Sequence, residues 1–201
     1  GVRANVGLRI NPRRASEHAG LKMSGDTHFG LSLTQAEGAL GFIRKNSDAV
    51  AFTGLHVHTG SQILSSDALI ENFRTILELA LDIEHSGILP LGKINSGGGW
   101  GIDYFPNQSP LDLKRLAEGL RELFAEPRYS GLSWKRFVVE PGRFLVGECG
   151  LYVTKVLYSK PGVGKHFLVV DGGMHHHYLL AGGMGQVIKR NFEIDMIPTS
   201  P

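Results

Sequence analysis

Cysteine is nearly absent: Cys149 is the only one among 201 residues, so no internal disulfide can form and a reducing compartment such as the cytoplasm fits. Charge of one sign is not in excess either. There are 21 Lys and Arg against 19 Asp and Glu, a formal net charge of +2. That balance gives no electrostatic reason to expect nucleic acid or an acidic membrane surface as a partner. No apolar run approaches the ~20 residues of a membrane-spanning helix. The start carries no signal or transit pattern. There is also no initiator Met; Val2–Ile10 already reads as a strand in progress, and the end at Pro198–Pro201 is abrupt. We therefore expect an interior segment of a longer chain. Internal repeats and low-complexity tracts are lacking. Hydrophobic residues make up 42%, enough apolar surface for a core.

The apolar pattern switches between two periods. Ala4–Ile10 alternates polar and apolar residues and stops at Asn11-Pro12, a strand ended by a turn. The polar, glycine-containing stretch 13–26 reads as a long loop that holds Lys22. Thr34–Arg44 has helical spacing at Ala36, Ala39, Leu40 and Ile43, with Thr34 expected as N-cap and Glu37 at the capping-box position. Asp67–His85 is the clearest helix, with a broad apolar face and Gly87 just past its end. Leu111–Phe124 is a third amphipathic helix. Three runs read as buried strands: Phe52–Val57, Leu91–Asn95 and Arg136–Val139.

Strands joined by helices imply a parallel sheet. Beyond Arg143 the rhythm changes. Leu151–Tyr158 and His166–Val170 are β-rich and are separated by the turn-like Lys160–Gly164, which implies antiparallel pairing. The expectation is an α/β domain over residues 1–146 and the opening of a second, all-β domain over residues 147–201.

Each of the three buried strands runs into a short polar motif: His58-Thr59-Gly60-Ser61, Gly97-Gly98-Gly99 and Glu140-Pro141-Gly142-Arg143. Chemistry at successive strand ends is how a parallel α/β barrel builds a site. The glycine run lets backbone N–H groups approach an anion closely, so it reads as a phosphate cradle, or else as a tight turn. Ser61 offers a hydroxyl and an N–H. His58 offers a flat ring able to stack or to shuttle a proton. His56 lies on the same strand face. No Cys, Asp or Glu nearby completes a ligand set, so a structural histidine is expected there and no metal. Glu140 could hold a protonated pyridine nitrogen, and Arg143 a carboxylate or phosphate; the alternative is an ion pair closing the sheet end. In Asp171–His177, consecutive residues on a strand would face opposite sides, so at most His175 and His177 could share a ligand. A pocket-lining role is the expectation. Lys22, Lys93, Lys160 and Lys189 all lack the rigid, desolvated setting of a Schiff-base lysine.

In this order and spacing, the motifs resemble those of the fold-type III pyridoxal-phosphate decarboxylases. That group includes diaminopimelate, ornithine and arginine decarboxylases and shares its fold with alanine racemase. The segment Gly54–Gln62 looks like the group's His-x-Gly-Ser segment, and Gly97–Ile102 like its glycine run. The resemblance implies part of an eight-stranded (β/α) barrel followed by the start of the all-β domain. It implies that His58 stacks on the pyridoxal ring, and that Ser61 and Gly97, Gly98 and Gly99 bind its phosphate. It also implies that Glu140 pairs with the pyridine nitrogen, with Gly142 and Arg143 in the same signature. Arg143 would also serve a substrate carboxylate, with His177 and Tyr178 lining the substrate side.

The implied Schiff-base lysine and the partner subunit's cysteine motif lie outside this segment, and the implied assembly is a homodimer. The implied activity is decarboxylation of an amino acid through an external aldimine and a quinonoid. A carboxylate at the ring nitrogen distinguishes it from the racemase, which places an arginine there; a non-catalytic cofactor-binding protein is the other alternative. The stretch from Met174 to Asn191 departs from the diaminopimelate pattern and looks more like a subgroup linked to biosynthetic clusters, for exopolysaccharide or carrier-bound amino acids.

Overall fold

The computed structural model describes residues 1–12, 21–22, 28–132, 136–173, 175–176 and 194–197. In chain order the elements are β1 (Ala4–Arg9), β2 (Leu21–Lys22), α1 (Leu33–Lys45), β3 (Val50–His56), β4 (Gly60–Ser61) and α2 (Ser66–Ser86). Then follow β5 (Lys93–Asn95), α3 (Leu113–Ala125), a 3-10 turn at Pro127–Leu132, β6 (Arg136–Val138), α4 (Gly142–Val146), β7 (Val156–Gly162) and β8 (Lys165–Val170). The chain divides into two compact units, Gly1–Gly147 and Glu148–Pro201.

In the first unit β1, β3, β5 and β6 lie side by side in that order, every pair parallel. Parallel neighbours need crossovers, and the helices supply them. The sheet buries its faces under α2, whose Leu69, Phe73, Ile76, Leu77, Ala80 and Ile83 recur at helical spacing and are all buried. All but Leu69 meet Leu55 of β3, Val57 just past its end, Ile94 of β5, Leu123 of α3, and Tyr129 and Leu132 of the 3-10 turn. Leu77 is fully buried in this cluster. Leu77→Ala is expected to cost about 3 kcal/mol, from lost burial plus the cavity left behind, read as a shift in a urea unfolding curve.

Helix α2 starts where the Ser65 hydroxyl accepts from Ala68 N and ends at Gly87, left-handed at φ 60°. Two ion pairs tie it to α3 and its C-cap, Asp67–Arg115 at 2.8 Å and Arg74–Glu126 at 2.7 Å. The Arg74 bond holds the Glu126 carboxyl below its ordinary range. A second buried cluster, Ile63, Ala68, Leu69, Leu111 and Leu116, carries Trp100 and Phe144 on its edge, their rings edge-on at 5.7 Å. This cluster lies beneath the loops that follow β4, β5 and β6.

Several expected boundaries shift. Helix α1 is capped by Ser32 and not Thr34. The Ser32 hydroxyl accepts from Gln35 N at 3.3 Å, and Gln35 Oε1 accepts from Ser32 N at 2.8 Å. The box closes there because Leu31 still bridges to Ile10, which leaves Ser32 as the first residue free to turn. Lys22 is not in a loop; with Leu21 it forms β2, antiparallel to β4, with Lys22 opposite Gly60 and Leu21 opposite Ser61.

The second unit has β7 and β8 as an antiparallel hairpin. Lys160, Pro161 and Gly162 are in β7 and not in the turn, which shrinks to Val163-Gly164, with Gly164 at φ 68°. The two-residue link matches strand twist better than a longer turn. His175 and His176 lie in a turn past β8, so strand alternation does not govern them. The Asp171 carboxyl accepts from Thr154 Oγ1 at 2.7 Å and Lys155 N at 2.8 Å, which holds it below its ordinary range. Among the described residues, no helix is long and apolar enough to cross a membrane.

Candidate functional site

Parallel packing places the ends of β3, β5 and β6 at one edge of the sheet, because all three strands point the same way. The residues just past those ends are the three motifs, and backbone bonds stitch them together. Val57 N donates to Asn95 O, Ser96 N to Val138 O, and Glu140 N to Gly97 O, at 2.8 to 2.9 Å. Ile63 N donates to Gly99 O, also at 2.9 Å.

The glycine run passes through the narrowest part of this arrangement. A Cβ on Gly98 would stand 2.2 Å from Glu140 O, and one on Gly99 2.2 Å from Gly60 O. Gly99 also sits at φ 92°, which L side chains rarely adopt. The run is therefore glycine because three loops meet there with no room for a side chain. Its N–H groups are partly committed: Gly97 N donates to Asn95 Oδ1 at 2.9 Å and Gly98 N to His58 Nδ1 at 3.3 Å.

Glu140, half exposed with 50% of its side chain accessible, accepts at Oε1 from Asn95 Nδ2 at 2.7 Å. Its Oε2 lies 3.7 Å from His56 Nε2. Gly97 N–H can only donate, so it fixes Oδ1 of Asn95 on its side and turns Nδ2 toward Glu140. His58 accepts through Nδ1, which fixes the ring against the glycine run. Ser61 is partly buried in β4. Arg143, in α4, donates from Nη1 to Gln62 Oε1 at 2.9 Å, with its guanidinium carbon 5.9 Å from the Tyr104 ring centre. Gly142 N donates to Glu140 O at 2.8 Å. His177 and Tyr178 lie outside the described residues.

The structure thus brings His56, His58, Glu140, Gly97, Gly98 and Gly99 together, and ties Arg143 to the residue after Ser61. The premise behind expecting no metal at the histidine pair does not hold, although the expectation itself is untested. A carboxylate does complete the histidine pair: nitrogens of His56 and His58 and an oxygen of Glu140 all lie within 4.8 Å of one another. It arrives from a distant strand, which local sequence inspection cannot register. Three residues went unremarked: Asn95, Gln62 and Arg9. Asn95 had a signal, an amide at a strand end just before the glycine run. Gln62 had none, since its role depends on a left-handed backbone at φ 61°. Arg9, in β1 opposite His56, bears on both imidazoles.

Burial is the main reason that His56 and His58 are held below the usual histidine range. For His58 the charge of Arg9 adds to it; for His56 the Glu140 carboxylate opposes it, and Arg9 and Lys93 add smaller pushes downward. Both are therefore neutral in the folded protein where an unfolded histidine, at 6.5, begins to take up protons. With depressed folded values, the unfolded state binds more protons in this window, so stability rises with pH there. Thermal unfolding followed from about pH 8 to about pH 5.5 is expected to show stability falling once the pH drops below the unfolded histidine value. The fall should be smaller in His56→Asn.

The donor set suits a phosphorylated pyridine-type cofactor. It offers a carboxylate with one oxygen free of hydrogen bonds, a ring-anchored imidazole beside it, and a serine and an arginine near the glycine run. His56 Nε2 is buried with no hydrogen-bond partner, an orphaned polar atom next to that carboxylate. The family profile described as "Pyridoxal-dependent decarboxylase, pyridoxal binding domain" matches residues 2–147. The chain is 34% identical over 197 residues to L-glutamyl-[BtrI acyl-carrier protein] decarboxylase of Niallia circulans, covering 97% of this chain and 45% of that protein. It is 39% identical over 176 residues to diaminopimelate decarboxylase of Bacteroides thetaiotaomicron, covering 85% of this chain and 44% of that protein. Its fold matches diaminopimelate decarboxylase of Helicobacter pylori complexed with L-lysine, with TM-score 0.67 and 28% identity, covering 86% of this chain and 42% of that one. The chain thus spans under half the length of these relatives. With its strand-end motifs converging on Glu140 and most of its length matched, the chain belongs to the pyridoxal-dependent decarboxylase family, through that family's pyridoxal-binding domain.

Proposed function

We propose that these residues form part of the pyridoxal-phosphate site of an amino-acid decarboxylase. The observation that carries this reading is the hydrogen-bonded chain Gly97–Asn95–Glu140, with His58 anchored on Gly98 beside it. When bound, pyridoxal phosphate supplies an electron sink for the pair released as carbon dioxide leaves. The chain's own residues hold and tune that sink. Glu140 Oε2 keeps the ring nitrogen protonated, and Asn95 holds Glu140 for that task by donating to Oε1. His58 supports a ring face; its lowered proton affinity keeps it an uncharged surface. Ser61, Gly99 and Arg143 take the phosphate, while Gly97 and Gly98 shape the loop and carry the contacts to Asn95 and His58. Gly142, the first residue of α4, donates its N–H to Glu140 O. Where Arg143 does not serve the phosphate, it takes a second carboxylate of the substrate.

A carboxylate at residue 140 supports decarboxylation over racemisation, which is served by a weaker sink. The substrate is a diaminopimelate-, ornithine- or carrier-linked amino acid. The match to the carrier-protein decarboxylase extends over 197 residues, against 176 for the Bacteroides thetaiotaomicron diaminopimelate decarboxylase, which favours the carrier-linked class. The protein works in the cytoplasm, in keeping with its single cysteine, and as a homodimer.

The test, on the full-length protein that carries this segment together with the Schiff-base lysine, is carbon dioxide release from meso-diaminopimelate, L-ornithine and a glutamyl-carrier thioester, with and without added pyridoxal phosphate; this segment by itself is expected to be inactive. Cofactor-dependent release from one of them is expected. Tight cofactor binding with no release, or inversion of the α-carbon without release, would turn the reading to a non-catalytic binder or a racemase.

A further inference from the structure

We infer that Gln62 is a positioning residue that holds the Arg143 guanidinium with its positive charge uncompensated, ready for an oxyanion; this rests on the functional reading above. Gln62 is the sole non-glycine residue with positive φ among the described residues, at 61°. A glutamine gains nothing locally from that conformation, and glycine would adopt it freely. Its side chain gives the reason. Nε2 donates to Ile102 O, and Oε1 accepts from Ile102 N at 3.4 Å and from Arg143 Nη1 at 2.9 Å.

Ile102 O can only accept, so it fixes Nε2 on its side. Oε1 must then face Ile102 N–H and the guanidinium. The amide orientation is dictated by the backbone that follows the glycine run, and Gln62 passes that orientation to α4. Three strand-end loops are thereby joined through one neutral side chain. The loop is itself fixed on either side: Ser61 pairs in β4, and Ile63 is buried and bonded to Gly99 O.

The neutrality of the partner is the decisive feature. Among the described residues Arg143 forms no ion pair; its side-chain contacts are Gln62 and the Tyr104 ring. A glutamate at 62 would hold the guanidinium in nearly the same place but cancel its charge. The amide orients without neutralising, so the charge is left for a phosphate or a carboxylate that arrives.

Two substitutions separate this role from a structural one. Gln62→Glu keeps both acceptor contacts and loses only the donation to Ile102 O. Gln62→Met loses all three bonds but leaves Arg143 charged. A purely structural role makes Gln62→Met the more damaging; the positioning role makes Gln62→Glu so. The protein stripped of cofactor is titrated with inorganic phosphate and with pyridoxal phosphate, and the loaded protein with glutarate. Gln62→Glu is expected to weaken oxyanion binding by at least about tenfold, the scale of one hydrogen bond to a charged group, and Gln62→Met by less. A loss in the phosphate arm assigns Arg143 to the cofactor, and a loss in the glutarate arm assigns it to the substrate. In an Arg143→Met background the effect of Gln62→Glu should vanish.

Wild-type affinity in Gln62→Glu, a reversed order of the two variants, or a penalty that persists without Arg143 overturns the inference while leaving the functional reading intact. A wild-type protein that fails to bind pyridoxal phosphate overturns both.

Discussion

Glu140→Gln is expected to lower decarboxylation by at least about a hundredfold, the scale of losing one preorganised electrostatic contact at a reacting centre, while leaving thermal stability close to wild type. The geometry makes this substitution cleaner than alanine. Glu140 is half exposed, and its Oε1 bond from Asn95 Nδ2 can be kept by a glutamine oxygen. Keeping that bond turns the new amide nitrogen toward the ring nitrogen that the carboxylate is proposed to serve. A donor then faces a protonated nitrogen, and the protonated form of the ring is no longer favoured. The loss should fall on kcat and not on KM, since the contact acts on the developing charge. Single-turnover carbon dioxide release checks it. Unchanged turnover in Glu140→Gln would remove the electron-sink role of this residue.

Gly98→Ala is the second large effect, and it acts through space and not through backbone freedom. The added Cβ would sit 2.2 Å from Glu140 O and 3.2 Å from its carbonyl carbon. Neither atom is at the end of a flexible side chain, so a strand end must move. The bond from Glu140 N to Gly97 O, at 2.8 Å, spans the same gap and would open. We expect a loss of about 2–3 kcal/mol in urea unfolding, the usual scale of overpacking at a tight site. Cofactor affinity should fall with it, since Asn95, Glu140 and His58 are all set by this contact. Cofactor fluorescence in the same samples reads both effects. An alanine at 98 that binds the cofactor as wild type does would mean that the three loops are not held in register by the glycine run.

The sequence carries the architecture well because its helices and strands declare themselves by period. The face of α2 from Leu69 to Ile83 could hardly be read otherwise, and its Gly87 stop falls where expected. The strand-end motifs were legible for the same reason: polar residues directly after buried apolar runs have few roles other than chemistry or turning. Helix starts were less legible. Ser32 and Thr34 both qualify as caps by type, and the choice between them was made by a bridge from Leu31 to Ile10 that no local pattern contains.

The site itself was legible as a set of parts and not as a set of contacts. His58, Glu140 and the glycines could be named, but what each one touches depends on strand order. Asn95 and Gln62 show the limit. Each is an amide whose function lies in which way it faces, and that is decided by N–H and C=O groups of loops distant in sequence. The same long-range arrival brings Glu140 to the two histidines.

The central proposal is that Glu140 meets the cofactor's ring nitrogen. Heteronuclear NMR of pyridoxal phosphate labelled at that nitrogen and bound to the protein reads its protonation directly. A protonated ring nitrogen is expected in the wild-type protein and an unprotonated one in Glu140→Gln at the same pH. A ring nitrogen that is unprotonated in the wild type, or protonated regardless of residue 140, would contradict it.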